Sequence, residues 1–104
     1  MERYMQHSVF MLLDTVQDKY YAGPYNSWYP IHQAKIWHRP QDARRARTTA
    51  MQEFQLRFDN ADINYAKNPQ HSHAAQEYFE LRTRGSEPDW GLKIMEFELV
   101  PRIK

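Results

Sequence analysis

Ala43, Ala46, Ala50, Phe54 and Phe58 recur three or four positions apart, with Met51 alongside, and so lay one apolar stripe along a helix. Residues at that spacing share a face, so the stripe calls for a second layer to cover it. Pro40 suits a first helical turn, and Asp42 meets the positive end of the helix dipole. A helix is therefore predicted over Gln41 to Phe58. Its small alanines suit close approach to a sheet, and its phenylalanines suit a wider gap further on. The opposite face carries Arg44, Arg45, Arg47, Gln52, Glu53, Gln55 and Arg57, as a solvated face does.

The covering layer reads as strands. Ser8 to Thr15 is a compact apolar run, Asp14 to Asp18 is turn material, and Lys19 to Ala22 reads as the returning strand of a hairpin ended by Gly23-Pro24. Tyr25 to Pro30 reads as a polar aromatic loop. Gln33 to His38 alternates with a period of two and predicts a third strand. Beyond the helix, Asp59 to Ser72 lacks a sustained period and reads as a long connection, with at most one helical turn near Ile63 to Lys67. His73 to Leu81 suits a short helical turn, giving way to a strand over Tyr78 to Thr83. After the turn Gly85 to Asp89, Leu92 to Val100 alternates as a half-buried strand, and Pro101 ends it. The fold class is α+β, with a small, mostly antiparallel sheet on one main helix in the order β-β-β-α-(α)-β-β.

A chain of 104 residues is the size of one domain, and residues 1–104 are read as one. Absence of cysteine removes disulfides, thiolate metal sites and cysteine nucleophiles. Glycine stands only at positions 23, 85 and 91, so neither GxGxxG nor a phosphate-binding P-loop can be built, and no cofactor is expected. The Val9 to Leu13 run is too short for a signal peptide core, and no run reaches the roughly 20 apolar residues of a membrane span. A cytoplasmic protein without a membrane partner is expected.

Chemistry-bearing groups are present without diagnostic spacing. His71 and His73, with His32, His38 or Asp59, carry imidazole and carboxylate but not the helical register of HExxH, and they read as loop histidines rather than a metal site. Asp59 and Asp62, Glu77 and Glu80, Glu87 and Asp89, and Glu96 and Glu98 pair carboxylates on polar segments rather than in the buried settings that tune general acids. Catalytic residues are assigned to none of them.

A net charge of only +1 makes any electrostatic argument local. The local candidate is the group Lys35, His38, Arg39, Arg44, Arg45 and Arg47 beside Trp28, Tyr29 and Trp37. Guanidinium groups hold carboxylates or phosphates in a fork, and exposed rings anchor protein partners or stack on bases. Trp28, Tyr29, Lys35, Trp37, Arg39, Arg44, Arg45 and Arg47 are therefore the candidate partner-binding residues. Seven Tyr, five Phe and three Trp fit either a core or an interface. An aromatic wall of Tyr21, Tyr25, Trp28 and Tyr29 offers a small-ligand or enzymatic alternative.

The order Tyr20, Tyr21, Gly23, Trp28, then Ala34-x-Ile36-Trp37, then Asp42-Ala43 resembles small uncharacterised proteins encoded by bacteriophages and prophages. That resemblance implies an accessory factor without enzymatic motifs, binding a host protein in the host cytoplasm. Nucleic acid is the alternative partner. A homodimer is the further expectation, because a short sheet leaves an edge to cover.

Overall fold

The computed structural model describes residues 8–23 and 27–99. Four strands, β1 (Ser8–Asp14), β2 (Lys19–Gly23), β3 (Ser27–Tyr29) and β4 (Leu92–Glu98), form one antiparallel sheet in the order β3-β2-β1-β4. Two helices, α1 (Pro40–Lys67) and α2 (Ser72–Gly85), lie between β3 and β4 in the chain. The class is α+β, as the periodicities require.

β1 is the spine of the sheet because it pairs along its whole length with β4, from Ser8 opposite Glu98 to Asp14 opposite Leu92. On its other side it pairs with β2 only at Leu13 and Asp14. Beyond that point the chain from Lys35 to Trp37 enters as a wedge. Phe10 and Trp37 exchange backbone hydrogen bonds of 2.8 and 2.9 Å, while the Lys35 N–H donates to the Tyr21 carbonyl at 2.8 Å. The strand predicted over Gln33 to His38 is thus reduced to one bridge, and Ile31–Gln33 before it forms a short 3-10 turn. Conversely, Ser27–Tyr29, within the segment read as a loop, is β3, with Tyr21 opposite Trp28 and Tyr20 opposite Tyr29. Tyr25 lies outside the described residues.

α1 buries the predicted stripe. Ala43 and Ala50 are inaccessible or nearly so, and Phe54 is buried, with Leu12 and Leu92 in the same core. Burying a leucine as completely as Leu12 contributes roughly 2 to 3 kcal/mol. The helix does not stop at Phe58: it runs on through nine residues read as a connection. The reason is a continuation of the same spacing, Phe54, Phe58, Ala61, Tyr65, which packs against α2. Ala61 is buried, and Tyr65 stacks on Tyr78 with centroids 4.7 Å apart. Asn68 donates its backbone N–H to the Asn64 carbonyl, and Pro69 follows and stops the helix.

α2 is capped by His71, whose Nδ1 accepts the Ala74 N–H at 3.2 Å, and it stays helical to Gly85. The strand expected over Tyr78 to Thr83 is therefore helix. Tyr78 and Leu81 face α1, and a ladder of rings joins Phe54, Trp90, Phe58, Tyr78 and Tyr65. Aromatic pairs of this kind add about 0.5 to 1.5 kcal/mol each beyond their area. β4 is observed to Glu98, and Val100 and Pro101 lie outside the described residues.

Between α2 and β4 the chain turns through Asp89, Trp90 and Gly91 with φ of 52°, 59° and 77°. Left-handed backbone costs side-chain-bearing residues energy, so this turn is held by its contacts. Trp90 stacks on Phe54, and the Gly91 carbonyl accepts both the Thr15 N–H at 2.9 Å and the Thr15 hydroxyl at 2.7 Å. A Cβ on Gly91 would stand 2.8 Å from Val16 Cγ2.

Candidate functional site

The two tryptophans of the candidate surface are half-buried and belong to the edge of the core. Tyr21 organises them: Trp28 meets it edge-on and Trp37 stacks on it, both at 5.6 Å. Trp28 then turns inward, to a small cavity of about 110 Å³ shared with Asp14, Ala50 and Phe54. Tyr29 is exposed on the short edge strand β3.

Trp37 has a different outlook. With Tyr21, Lys35, Asp42, Arg45 and Thr49 it lines an open groove of about 420 Å³ between the 35–37 wedge and the first turns of α1. The wedge places Lys35 and Trp37 there, since its backbone is bonded to both Tyr21 and Phe10. The helix supplies Asp42, Arg45 and Thr49 at three- and four-residue spacing, one face of α1. Lys35 and Arg45 are exposed.

The remaining cations separate from this groove. Arg39 extends its Nε to 3.1 Å from Asp42 Oδ2, an ion pair that partly neutralises both. Arg44 lies about 100° around the helix from Arg45. Arg47 is half-buried, with Nη1 3.9 Å from Asp89 Oδ2, and faces the 88–91 turn. The candidate group is thus brought together at Lys35, Trp37 and Arg45, bordered by Arg39, and divided elsewhere.

His71 serves as the cap of α2, with His73 edge-on to it at 6.4 Å. Among the described residues no three His, Asp or Glu side chains converge as a metal site requires. Of the carboxylate pairs, Glu77 and Glu80 border a second cleft, between α2 and the β1-β2 turn.

Behind that cleft lies a buried ion pair that no local pattern announces: Arg84 of α2 and Asp14 at the end of β1, 6% and 1% exposed. Asp14 Oδ1 also accepts the Val16 and Gln17 N–H groups at 3.0 and 3.3 Å. The guanidinium lies over the Phe54 ring, 4.0 Å from its centroid. Its Nη2 is 2.7 Å from Asp14 Oδ1, but off the N–H direction, so Nε and Nη2 are left without an aligned acceptor.

Among the described residues no helix is long and apolar enough to cross a membrane. No protein-family model matches the chain, and no curated protein or solved structure gives a significant match.

Proposed function

We propose that the protein is a non-enzymatic accessory binder that engages an acidic segment of another protein, a host protein in the phage context that the resemblance implies. The observation that supports this is the groove in which Trp37, Lys35 and Arg45 meet. A half-buried ring offers an apolar anchor already fixed by its stack on Tyr21, and two exposed cations flank it. Asp42 stands in the same groove and holds Arg39.

The test is affinity capture from bacterial lysate, with and without nuclease, comparing wild type with Lys35→Glu/Arg45→Glu. The expected result is a protein retained after nuclease treatment and lost with the variant. Capture unaffected by the variant, or abolished by nuclease, overturns the reading.

A further inference from the structure

β1 is apolar at five successive positions, Val9 to Leu13, whereas an antiparallel strand with one solvated face alternates apolar and polar residues. Both of its faces therefore call for cover. The helices cover one, where Leu12 and its neighbour Ile94 pack with Ala50 and Phe54 of α1. Side chains alternate across a strand, so Met11 and Leu13 point the other way, and none of the side chains on their face is part of that core. This second face is laid out in rows. Leu13 stands between Tyr20 and Lys93, and Tyr29 lies beyond Tyr20, so one row crosses all four strands as Tyr29-Tyr20-Leu13-Lys93. In the next row Met11 stands beside Met95, and on its other side the 35–37 wedge turns Trp37 toward α1 and therefore Ile36 outward. Ile36 and Tyr29 are each 47% exposed, and Lys93 is the only charged side chain of the two rows.

We propose that this face is the contact between two copies of the chain, stacked sheet on sheet. The placement of its one charge carries the choice of occupant. The first row has a cation at the β4 edge and an exposed ring at the β3 edge, with β2 and β1 between them. A two-fold axis parallel to the strands, passing between β2 and β1, exchanges those edges and keeps each row in register. Lys93 of one copy then lies over the Tyr29 ring of the second, and Leu13 lies over Tyr20, each contact occurring twice. The two Lys93 groups stay three strand spacings apart, about 14 Å or more, beyond the screening length of roughly 8 Å. In the next row Ile36 of one copy meets Met11 of the other. The face thus supplies its own complement and needs no unlike partner. Its four strands and two to three rows span roughly 20 by 20 Å, or about 400 Å² per copy. A standard interface covers about 800 Å² per partner, so the dimer is expected to form and dissociate with concentration. The Trp37 groove lies on the α1 side and stays open in both states.

Sedimentation of the full chain over a concentration series is expected to show a reversible monomer–dimer equilibrium. Ile36→Asp, at a site already half exposed, should raise the dissociation constant at least about tenfold with the far-UV circular dichroism unchanged. Lys93→Glu should raise it about two- to fivefold, the effect of one lost cation–ring contact. Leu56→Asp, 61% exposed on α1, should leave it unchanged. Because the chain has no cysteine, a short bismaleimide reports the orientation. An equal mixture of Tyr29→Cys and Lys93→Cys chains should cross-link at least about fivefold faster than either variant alone, since like positions stay three strand spacings apart. A chain that is monomeric up to about 1 mM, equal effects of Ile36→Asp and Leu56→Asp, or cross-linking of either variant alone as fast as the mixture each overturns the proposal.

Discussion

Arg84 Nη2 lies 2.7 Å from Asp14 Oδ1, joining the last turn of α2 to the end of β1 across 70 residues of sequence. The pair also carries the β1-β2 turn, since the same carboxylate oxygen accepts the Val16 and Gln17 N–H groups. Removing one partner leaves a buried, uncompensated charge, which typically costs about 3 to 5 kcal/mol. Asp14→Ala is therefore expected to lower the urea midpoint sharply. Arg84→Met together with Asp14→Asn leaves no charge stranded and keeps an acceptor for the turn. Its destabilisation should be smaller than the sum of the single variants, and additivity would show that the two side chains are not coupled.

Gly91 and Asp18 both have left-handed backbone, φ 77° and 57°, yet substitution should act in opposite directions. At Gly91 a Cβ meets Val16 Cγ2 at 2.8 Å and Thr15 Oγ1 at 3.2 Å, and strand β4 starts at the next residue. Gly91→Ala adds that collision to the backbone penalty and is expected to cost about 2 kcal/mol or more. Asp18 is an exposed turn residue, so Asp18→Gly relieves strain and should stabilise by roughly 0.5 kcal/mol. Thermal unfolding of the two variants checks the signs.

The distal part of α1 depends on rings rather than on propensity. Residues 59–67 include Asp59, Asn60, Asp62 and Asn64, none of which favours a helix interior. What orders them is Ala61 buried in the core and Tyr65 stacked on Tyr78, which also stacks on Phe58 at 5.7 Å. Tyr78→Ala removes both stacks and should destabilise by about 2 to 4 kcal/mol. Hydrogen exchange should then accelerate most over 59–67, while β1 and β4 keep their protection. Uniform acceleration would instead mean that the helix pair and the sheet open together.

That segment also shows where local reading fails. The spacing Phe54, Phe58, Ala61, Tyr65 is present in the sequence, but four Asn and Asp residues obscure it, because its partner face on α2 is not a neighbour in sequence. Tyr78 to Thr83 suits a strand by composition, and packing on α1 decides for helix. The alternation in Gln33 to His38 reflects a chain that bonds to β2 through Lys35 and to β1 through Trp37, wedged between the two strands. The proximal stripe, the hairpin and β4 were legible because each carries its own period. The Asp14–Arg84 pair was not, since Asp14 looks like turn material and Arg84 like one more charge before a glycine. The candidate site was legible as a composition of rings and cations, but its division was not, because helical angle separates adjacent arginines.

That division makes Arg44 and Arg45 a matched pair of variants. Both are exposed in the first turns of α1 and carry the same charge, yet only Arg45 lines the groove with Trp37 and Lys35. Under the proposed function, Arg45→Glu should weaken capture of the partner about tenfold or more, because it adds a repulsive carboxylate beside Asp42. Arg44→Glu makes the same change in net charge about 100° away on the helix, and it should leave affinity within about twofold. Trp37→Phe keeps an aromatic ring against Tyr21 while reducing the apolar anchor, and an intermediate loss is expected. Binding measured at two ionic strengths completes the comparison. If Arg44→Glu and Arg45→Glu weaken binding equally and salt removes most of the affinity, the partner responds to the net charge of the helix rather than to the groove.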